Sequence, residues 1–317
     1  MCINYSLIND RQDYVEGYAL IKSVNIKTTQ KGDSYLDIIL NDATDEVNAK
    51  LWSYSESQHG KFESRQLVKF RGYLQEYNGT TQLKLEKLRE ATPEDDVNIS
   101  DYIKCAPIDT EKAYDNIISF VNNYIVDEEY KTLVKCIYND YHDLLITCPA
   151  ARSMHHAVRG GLLWHICGML DIATGITAVY PKEINRDLLF TGVLLHDIGK
   201  IEEFGRSNAA FGMVDKYSTE GTLLGHLVID ALIVEKYNDV ISEEKLLLVK
   251  HMLISHHQKP EWGACVKPMT LEAELLSRID GIDAAVNEIV NAQKNVDVGE
   301  FTQPVFALDN RTFYKTI

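Results

Sequence analysis

Several features that the sequence lacks narrow the class of protein. The six cysteines form no CxxC pair and no regular framework, which excludes a disulfide-rich secreted fold and predicts reduced thiols in the cytosol. No basic segment followed by an apolar run opens the chain, and no uninterrupted apolar stretch approaches the roughly 18 residues of a membrane span. We therefore expect a cytoplasmic protein without a signal peptide and without a membrane partner.

A net positive charge is also missing. The formal net charge is −15, from 32 basic and 47 acidic residues. The segment from Arg11 to Glu90 contains 12 residues of each sign, so the whole acidic excess lies elsewhere in the chain. Proteins that bind nucleic acid through long-range attraction are basic. Any polyanion bound here is therefore expected to be held locally, by stacking, a few placed cations and metal ions.

The first 90 residues show the patterns of five β-strands. A polar stretch over Ser53–Ser64 predicts a short helical link between the third and fourth strands, and Asn78-Gly79 predicts the last hairpin. Five strands with such a link are typical of an OB-fold barrel. The alternation of apolar residues predicts strands over Tyr14–Thr28, Ser34–Leu40, Val47–Trp52, Leu67–Tyr77 and Thr80–Leu88.

Exposed aromatic residues and cations on this barrel are candidates for nucleic-acid binding, because OB-folds stack single strands on such side chains. For each aromatic residue the alternative is that it covers the barrel, and Phe62 and Phe70 are expected in the core. The pattern from Gly32 to Leu83 is similar to OB modules of the tRNA-anticodon-binding type, which also serve as protein-binding platforms. The candidates are Tyr35, Lys50, Trp52, Tyr54, Lys69, Arg71, Tyr73 and Tyr77.

The composition changes after the predicted barrel. Residues 91–110 contain Pro93, Pro107 and the acidic run Glu94-Asp95-Asp96, and we interpret them as a linker or a loosely packed strap. Apolar residues at helical spacing follow to about Asn291. The chain is thus predicted as a multidomain β plus all-α protein, with a barrel over 1–90, a linker over 91–110 and a helical domain with a C-terminal tail over 111–317.

Histidines concentrate in the predicted helical domain, where eight of the ten lie between residues 155 and 257. Several lie within apolar sequence, such as the predicted helices Thr222–Lys236 and Leu246–Ser255, where an unpaired ionisable group would be costly. One such histidine is more often a hydrogen-bonded core residue, but several in one domain favour a divalent metal site. The positions concerned are His165, His196-Asp197, His226, His256-His257 and Asp280.

The order H…HD…H…HH…D resembles the HD-domain metal-dependent phosphohydrolases. The resemblance implies two metal ions bridged by the aspartate of the HD pair, an arrangement that suits phosphodiester hydrolysis. One ion would be held by His165, His196, Asp197 and Asp280, and the second by Asp197, His226, His256 and His257.

Three assignments in this site keep an alternative. Asp283 is the alternative to Asp280 as a ligand, and His257 could contact the substrate instead of a metal ion. Lys200, one turn beyond the HD pair, is placed to stabilise the extra charge of the transition state. Its alternative is a solvated lysine at a helix end.

The residues around the paired histidines narrow the choice among HD enzymes. The stretch His256–Gly263 contains no GYP motif, which argues against the HD-GYP cyclic-dinucleotide phosphodiesterases. Together with Met269–Ala273 and Ile279–Ala284 it resembles the YhaM family of 3′-to-5′ exoribonucleases, which join an N-terminal OB-fold to an HD domain. Departures from the family pattern are Trp164 in place of an acidic residue, Gln258 in place of glycine and Ala264-Cys265 in place of Ser-Pro. Further matches are Pro149-Ala150-Ala151, His155-His156, Arg159–Leu163 and the tail from Gly299 to Tyr314.

The resemblance implies that the OB module feeds single-stranded RNA to the HD site and that nucleoside 5′-monophosphates are released. Single-stranded DNA remains open as a second substrate, and a homo-oligomer remains open as the assembly. Mn²⁺ is the cofactor that the family suggests, while the ligand types also suit iron, cobalt and zinc. His155, His156 and Arg159 would either grip the 3′-terminal nucleotide or brace the first ligand helix.

Two other functions compete with this interpretation. The first is an HD phosphohydrolase of small nucleotides with a regulatory OB domain. The second is a non-catalytic RNA-binding protein in which the metal site is structural.

Overall fold

The computed structural model describes residues 14–43, 46–77, 80–152, 156–294 and 296–317. The chain divides into two compact units, Met1–Cys105 and Ala106–Ile317. This division falls inside the segment 91–110 that we interpret as a linker. Each unit is described below by itself.

The first unit contains a closed five-stranded barrel with the strand order β1-β2-β3-β5-β4. Strands β3 and β5 pair in parallel, and the other neighbours pair antiparallel. The prediction of an OB-fold is confirmed, although the predicted turn Asn78-Gly79 lies outside the described residues. The elements are β1 (Tyr14–Thr28), β2 (Ser34–Asn41), β3 (Glu46–Leu51), the single-turn helix α1 (Glu56–His59), β4 (Leu67–Tyr77) and β5 (Thr80–Glu90).

Alternation along the strands separates the barrel core from its surface, because successive side chains of a strand point to opposite faces. In β2 the three apolar residues Leu36, Ile38 and Leu40 are buried, and their neighbours are less so. Phe62 and Phe70 also lie in the core, as expected. The outward positions of the strands are thereby left for polar and aromatic side chains.

The segment after β5 is held against the barrel by Asp95. This residue lies in a 3₁₀ helix over Pro93–Asp95, and a second 3₁₀ helix follows over Ile99–Tyr102. Asp95 accepts hydrogen bonds from the hydroxyl of Tyr18 at 2.8 Å and from the guanidinium of Arg89 at 2.7 Å. The first part of the predicted linker therefore packs on strands β1 and β5.

The second unit is helical, and a single apolar core joins its helices. Asp109, Asp127, Asn185 and Thr270 each cap a helix by accepting a backbone N–H bond. The helices are α2 (Thr110–Tyr124), α3 (Glu128–Leu145), α4 (Gly161–Val179), α5 (Arg186–Leu195), α6 (Lys200–Phe204), α7 (Arg206–Phe211), α8 (Thr219–Leu224), α9 (His226–Glu235), α10 (Glu243–Ser255) and α11 (Leu271–Ala292).

The predicted single helix over Thr222–Lys236 is wrong. Gly225, with φ 71° and ψ 157°, ends α8 and begins α9. A side chain at this left-handed φ would be strained, so the glycine permits the break. His226 consequently becomes the first residue of a helix, where its backbone and ring can turn towards the interior.

Helix α4 is the one helix in the described parts of the chain with the length and composition to cross a membrane. It carries a histidine and an aspartate, and it packs against α2, α5 and α11. His165 and Leu162 on this helix are completely buried. These contacts are those of a central core helix.

Candidate metal centre

The structure brings the seven predicted ligands to one buried centre in the helical domain. Helices α4 and α11 carry their ligands internally, whereas the other ligands lie at or just beyond helix ends. Side chains at helix ends can converge because the backbone changes direction there. The seven residues are His165 in α4, His196 and Asp197 after α5, His226 at the start of α9, His256 and His257 after α10, and Asp280 in α11.

Asp197 divides the centre into two halves. Its Oδ2 lies 3.2 Å from Nε2 of His196 and 3.9 Å from Nε2 of His165. Its Oδ1 lies 3.5 Å from Nε2 of His226 and 3.8 Å from Nε2 of His256. One buried carboxylate thus faces two separate groups of imidazoles.

Further donors complete each half. On the Oδ2 side, Oδ1 of Asp280 lies 3.3 Å from Nε2 of His165, whose Nε2 also lies 3.3 Å from Nε2 of His196. On the Oδ1 side, the Nε2 atoms of His226 and His257 are 3.3 Å apart. The two halves match the two ligand sets implied by the HD resemblance.

Each of the five histidines is oriented by an acceptor at its other ring nitrogen. Such outer contacts direct Nε2 towards a metal ion and hold the ring in place. The Nδ1 contacts are His165 to Asp283 at 2.6 Å, His196 to the Val193 carbonyl at 2.9 Å, His226 to Glu203 at 3.1 Å, His256 to the Leu253 carbonyl at 2.8 Å, and His257 to the Trp262 carbonyl at 2.9 Å.

The donors at the centre fit a divalent cation. Among the described residues, Oδ1 of Asp197 and Nε2 of His256 are buried polar atoms without a hydrogen-bond partner. Buried polar atoms are normally paired, so two orphaned acceptors that face each other point to a missing positive ligand. Imidazole and carboxylate donors without thiolate suit manganese, iron, cobalt or zinc.

Electrostatics keep these two residues in their metal-binding forms. Burial opposes the ionisation of Asp197, but the charges of His196 and Lys200 hold its pKa well below the usual range. Burial, together with His257 and His196, holds the pKa of His256 well below its usual value. Asp197 is therefore a carboxylate and His256 a neutral imidazole, the forms that coordinate cations.

The pKa of His165 is raised by the negative charges on its side of the centre. Burial lowers the pKa of this histidine, but hydrogen bonds with Asp280 and Asp283 raise it to about 9. The proton on His165 balances two carboxylates that would otherwise be buried with uncompensated charge. A bound cation would take over this role.

Asp280 and Asp283, left as alternatives by the sequence, occupy different places. Asp280 faces the Nε2 side of His165, at the centre. Oδ2 of Asp283 lies on the Nδ1 side of His165 and 2.8 Å from Nε2 of His156. Asp280 is thus positioned as a ligand, and Asp283 as the acceptor that orients one.

Lys200 lies inside the centre. Its Nζ donates to Oδ2 of Asp197 at 2.7 Å, and its side chain is only 11% exposed. The alternative of a solvated lysine at a helix end is therefore wrong.

His156 and Arg159 both make hydrogen bonds within the helical domain. His156 is buried, and its backbone N–H donates to Asn287 on α11. Arg159 donates through Nη1 to the carbonyl oxygens of Ala210 and Phe211. The hydrogen bond of His156 reaches α11, which carries Asp280, whereas those of Arg159 reach the end of α7, which carries none of the predicted ligands. Bracing of the first ligand helix and gripping of the 3′-terminal nucleotide both stay predictions. His155 lies outside the described residues.

Two residues of the centre escaped the sequence analysis. Glu203 accepts from both the backbone N–H and Nδ1 of His226. Asp230 is buried and accepts from the N–H of Gly199, which holds the turn after the HD pair; burial and the charge of Asp197 raise its pKa well above the usual value. No sequence motif marks Glu203. Asp230 has a sequence signal, because it lies one helical turn after His226.

Gln258 explains one departure from the family pattern. Its φ of 68° is the left-handed conformation that glycine adopts without strain. With its amide oxygen turned towards Arg278 on α11, it accepts from Nε at 3.2 Å and Nη2 at 3.0 Å. This contact ties the turn after His257 to the helix that carries Asp280.

The barrel presents part of the predicted nucleic-acid surface. The rings of Tyr35 and Trp52 lie 4.6 Å apart, with Nζ of Lys50 within 5.9 Å of both ring centroids. The rings of Tyr73 and Tyr14 lie 5.1 Å apart, and both are more than 40% exposed. These aromatic residues and cations face outwards.

Four other candidates on the barrel have different outcomes. Tyr54 is buried and donates to the Gly60 carbonyl, so its predicted outward position is wrong. Lys69 pairs with Glu16 at 3.5 Å, and Arg71 lies over the ring of Tyr14. The side chain of Tyr77 lies outside the described part of the chain.

The register of the strands extends this surface. Tyr14 pairs with Tyr73, Tyr73 with Lys84, and Lys84 with Lys50. Residues paired in this way share one face of a sheet, so aromatic and cationic side chains form a row across four strands. Lys84 was not among the sequence candidates.

Comparison with known proteins shows which family the chain belongs to. Residues 162–285 match the HD domain family. Proteins named 3′-5′ exoribonuclease YhaM are similar over nearly the full length: that of Listeria welshimeri is 39% identical over 95% of this chain and 94% of the relative. That of Oceanobacillus iheyensis is 37% identical over 95% and 93%, and that of Bacillus subtilis is 35% identical over 98% and 97%. This chain therefore belongs to the YhaM family of 3′-5′ exoribonucleases.

Proposed function

We propose that the chain hydrolyses single-stranded RNA from the 3′ end and releases nucleoside 5′-monophosphates. The observation that carries the proposal is Asp197, whose two oxygens face two groups of imidazole Nε2 atoms at 3.2–3.9 Å. The names of the full-length relatives support the direction and the substrate. Single-stranded DNA is a second substrate to test, since stacking on aromatic residues does not require the 2′-hydroxyl.

The centre is proposed to hold two divalent ions, with Mn²⁺ favoured. His165, His196 and Asp280 would hold one, His226, His256 and His257 would hold the other, and Asp197 would contribute one oxygen to each. When bound, such ions acidify a water molecule and neutralise charge on the phosphoryl oxygens.

The residues of the chain prepare this centre before the substrate arrives. The acceptors at each Nδ1 hold the imidazoles in one orientation, so little reorganisation is needed at the moment of reaction. The ammonium of Lys200, buried beside Asp197, adds a fixed positive charge where the phosphoryl group gains negative charge. Water access is limited because Asp197, His196 and His256 are almost completely buried.

The barrel is proposed to hold the RNA strand by local contacts. Stacking on Tyr35, Trp52 and Tyr73, with Lys50 and Arg71 near the phosphates, would offset the repulsion expected from a net charge of −15. We place the enzyme in the cytoplasm, which agrees with the described cysteines being free thiols.

The decisive experiment uses 5′-labelled single-stranded RNA. With Mn²⁺ we expect a ladder of shortening products and mononucleotides, and with chelator or a blocked 3′ end we expect intact RNA. Hydrolysis of mononucleotides or cyclic dinucleotides without any shortening of RNA would support the small-nucleotide alternative instead. RNA binding without turnover under all metals tested would support the non-catalytic one.

A further inference from the structure

The turn that follows His257 is held by several backbone hydrogen bonds. Pro260–Trp262 form a 3₁₀ turn in which the N–H of Trp262 donates to the Lys259 carbonyl at 2.9 Å. The N–H of Ala264 also donates to Lys259, at 3.2 Å. The N–H of Cys265 donates to the Ile254 carbonyl at 2.9 Å and ties the turn to α10. The position of Trp262 is therefore set by the backbone.

The same turn is bonded directly to the metal centre. Nδ1 of His257 donates to the carbonyl oxygen of Trp262 at 2.9 Å, while Nε2 of His257 faces His226 across the centre. The backbone carbonyl of Trp262 thus lies one imidazole ring away from the atoms proposed to bind metal. The turn is therefore next to the centre, on the Nδ1 side of His257.

The side chains of this turn are of a kind that can bind a nucleotide. Trp262 is 60% exposed, so its indole is accessible to a ligand. Nζ of Lys259 lies 4.2 Å from the centroid of the indole. The barrel has the same combination at Trp52, where Nζ of Lys50 lies 5.9 Å from the ring. An aromatic face beside an ammonium suits a nucleobase and its phosphate.

We propose that Trp262 and Lys259 form a nucleotide subsite at the metal centre. Trp262 stacks a nucleobase of the RNA near its 3′ end, and Lys259 pairs with a neighbouring phosphate. The inference rests on the proposed function, because it assumes that RNA is the substrate. It adds a second stacking site, on the helical domain, that acts on even the shortest oligonucleotides.

The test compares Trp262→Ala with the wild type on RNA of three to six nucleotides, in Mn²⁺. We expect KM to rise roughly tenfold with little change in kcat, the effect of losing one base–aromatic stack. Trp262→Phe should recover most of the affinity, since phenylalanine retains an aromatic face. Phe306→Ala, which removes an 83% exposed ring in the C-terminal tail, is the matched control and should leave KM unchanged.

A second substrate separates a binding effect from damage to the metal centre. An oligonucleotide of the same length with abasic residues at its 3′ end keeps the phosphodiesters but has no bases there to stack, so Trp262→Ala should lower kcat/KM for RNA about tenfold more than for this oligonucleotide. An equal loss on both substrates, or an unchanged KM for RNA, would overturn the subsite.

Fluorescence tests the contact without requiring cleavage. A stacked base quenches tryptophan, so a phosphorothioate RNA hexamer should quench the Trp52→Phe protein more than the Trp52→Phe/Trp262→Phe protein. Equal quenching in the two would contradict the proposal. If the wild type fails to shorten RNA at all, the proposed function fails, while this binding measurement still decides whether Trp262 contacts RNA.

Discussion

The barrel and the helical domain carry their functional residues in opposite ways. On the barrel, the aromatic residues and cations point outwards and are partly exposed, as Trp52 and Tyr73 show. In the helical domain, His165, His196 and Asp197 are almost inaccessible. A surface that binds a flexible strand needs contact area, whereas a metal centre needs fixed donors in a dry, low-dielectric interior. Substitutions should therefore have graded effects on the barrel and severe effects in the centre.

The largest expected effect is that of Asp197→Asn. This change removes a negative charge from between the two groups of imidazoles, and we expect RNA hydrolysis to fall by about 10³-fold or more. Calorimetric titration should show weakened Mn²⁺ binding, and circular dichroism should show an intact helical fold. Unchanged turnover in a folded variant would mean that the metal centre is not the site of hydrolysis.

An effect of intermediate size is expected from the acceptor behind His226. Glu203→Gln weakens the hold on Nδ1, and loss of such outer contacts typically reduces metal affinity or activity about 10–100-fold. The measurement is activity as a function of Mn²⁺ concentration, which should shift to higher concentrations. Glu220→Gln on α8 changes the same charge at an exposed position and serves as the control.

A smaller effect is expected on the barrel. Trp52→Ala removes one stacking face, and we expect about a tenfold rise in KM for long RNA. Dinucleotides should be affected much less, since a long strand offers more bases for stacking on the barrel than a dinucleotide does. Tyr180→Ala, at an exposed aromatic residue beyond α4, is the comparison. An equal loss on long and short substrates would indicate that Trp52 supports the fold instead.

The smallest effect on catalysis is expected from a change in the barrel core. A Cβ at Gly72 would lie 2.2 Å from the carbonyl oxygen of Lys84, so Gly72→Ala should destabilise the barrel by about 1–3 kcal/mol.

The comparison in the helical domain is Gly175→Ala on helix α4. The added Cβ meets open space, so this change should stabilise the helical domain slightly, by about 0.4–1 kcal/mol. Thermal unfolding checks both values, and hydrolysis of bis(p-nitrophenyl) phosphate checks that the metal centre is retained. A destabilised Gly175→Ala protein would contradict the comparison.

The fold was predictable wherever a local pattern decides it. The alternation Leu36, Ile38, Leu40 identified β2, because burial on one face of a strand requires apolar residues at every second position. The prediction of one helix over Thr222–Lys236 failed at Gly225. Apolar residues continue across this break, and the spacing of apolar residues does not reveal a single residue in the left-handed conformation. Tyr54 was misplaced for a related reason: it lies beyond the end of β3, where alternation no longer applies.

The candidate site was predictable as a set of residues but not as an arrangement. The sequence indicated metal binding because apolar residues surround His165, His226 and His256, and buried ionisable groups need partners. The sequence could not show that Asp280 faces Nε2 of His165 and Asp283 faces its Nδ1, since both aspartates lie on one face of α11. Glu203 was missed because its partner is 23 residues away and no spacing rule connects them.

By itself, the sequence determined the strands of the barrel, the candidate ligand residues and the family, because these depend on local periodicity and on which side chains are present. Tertiary structure alone decided that the two oxygens of Asp197 face opposite groups of imidazoles, and that Nδ1 of each of the five candidate ligand histidines has an acceptor. It also decided that Trp262 is bonded through its carbonyl to His257. These features depend on distances between atoms from different helices, and only packing of the core sets such distances.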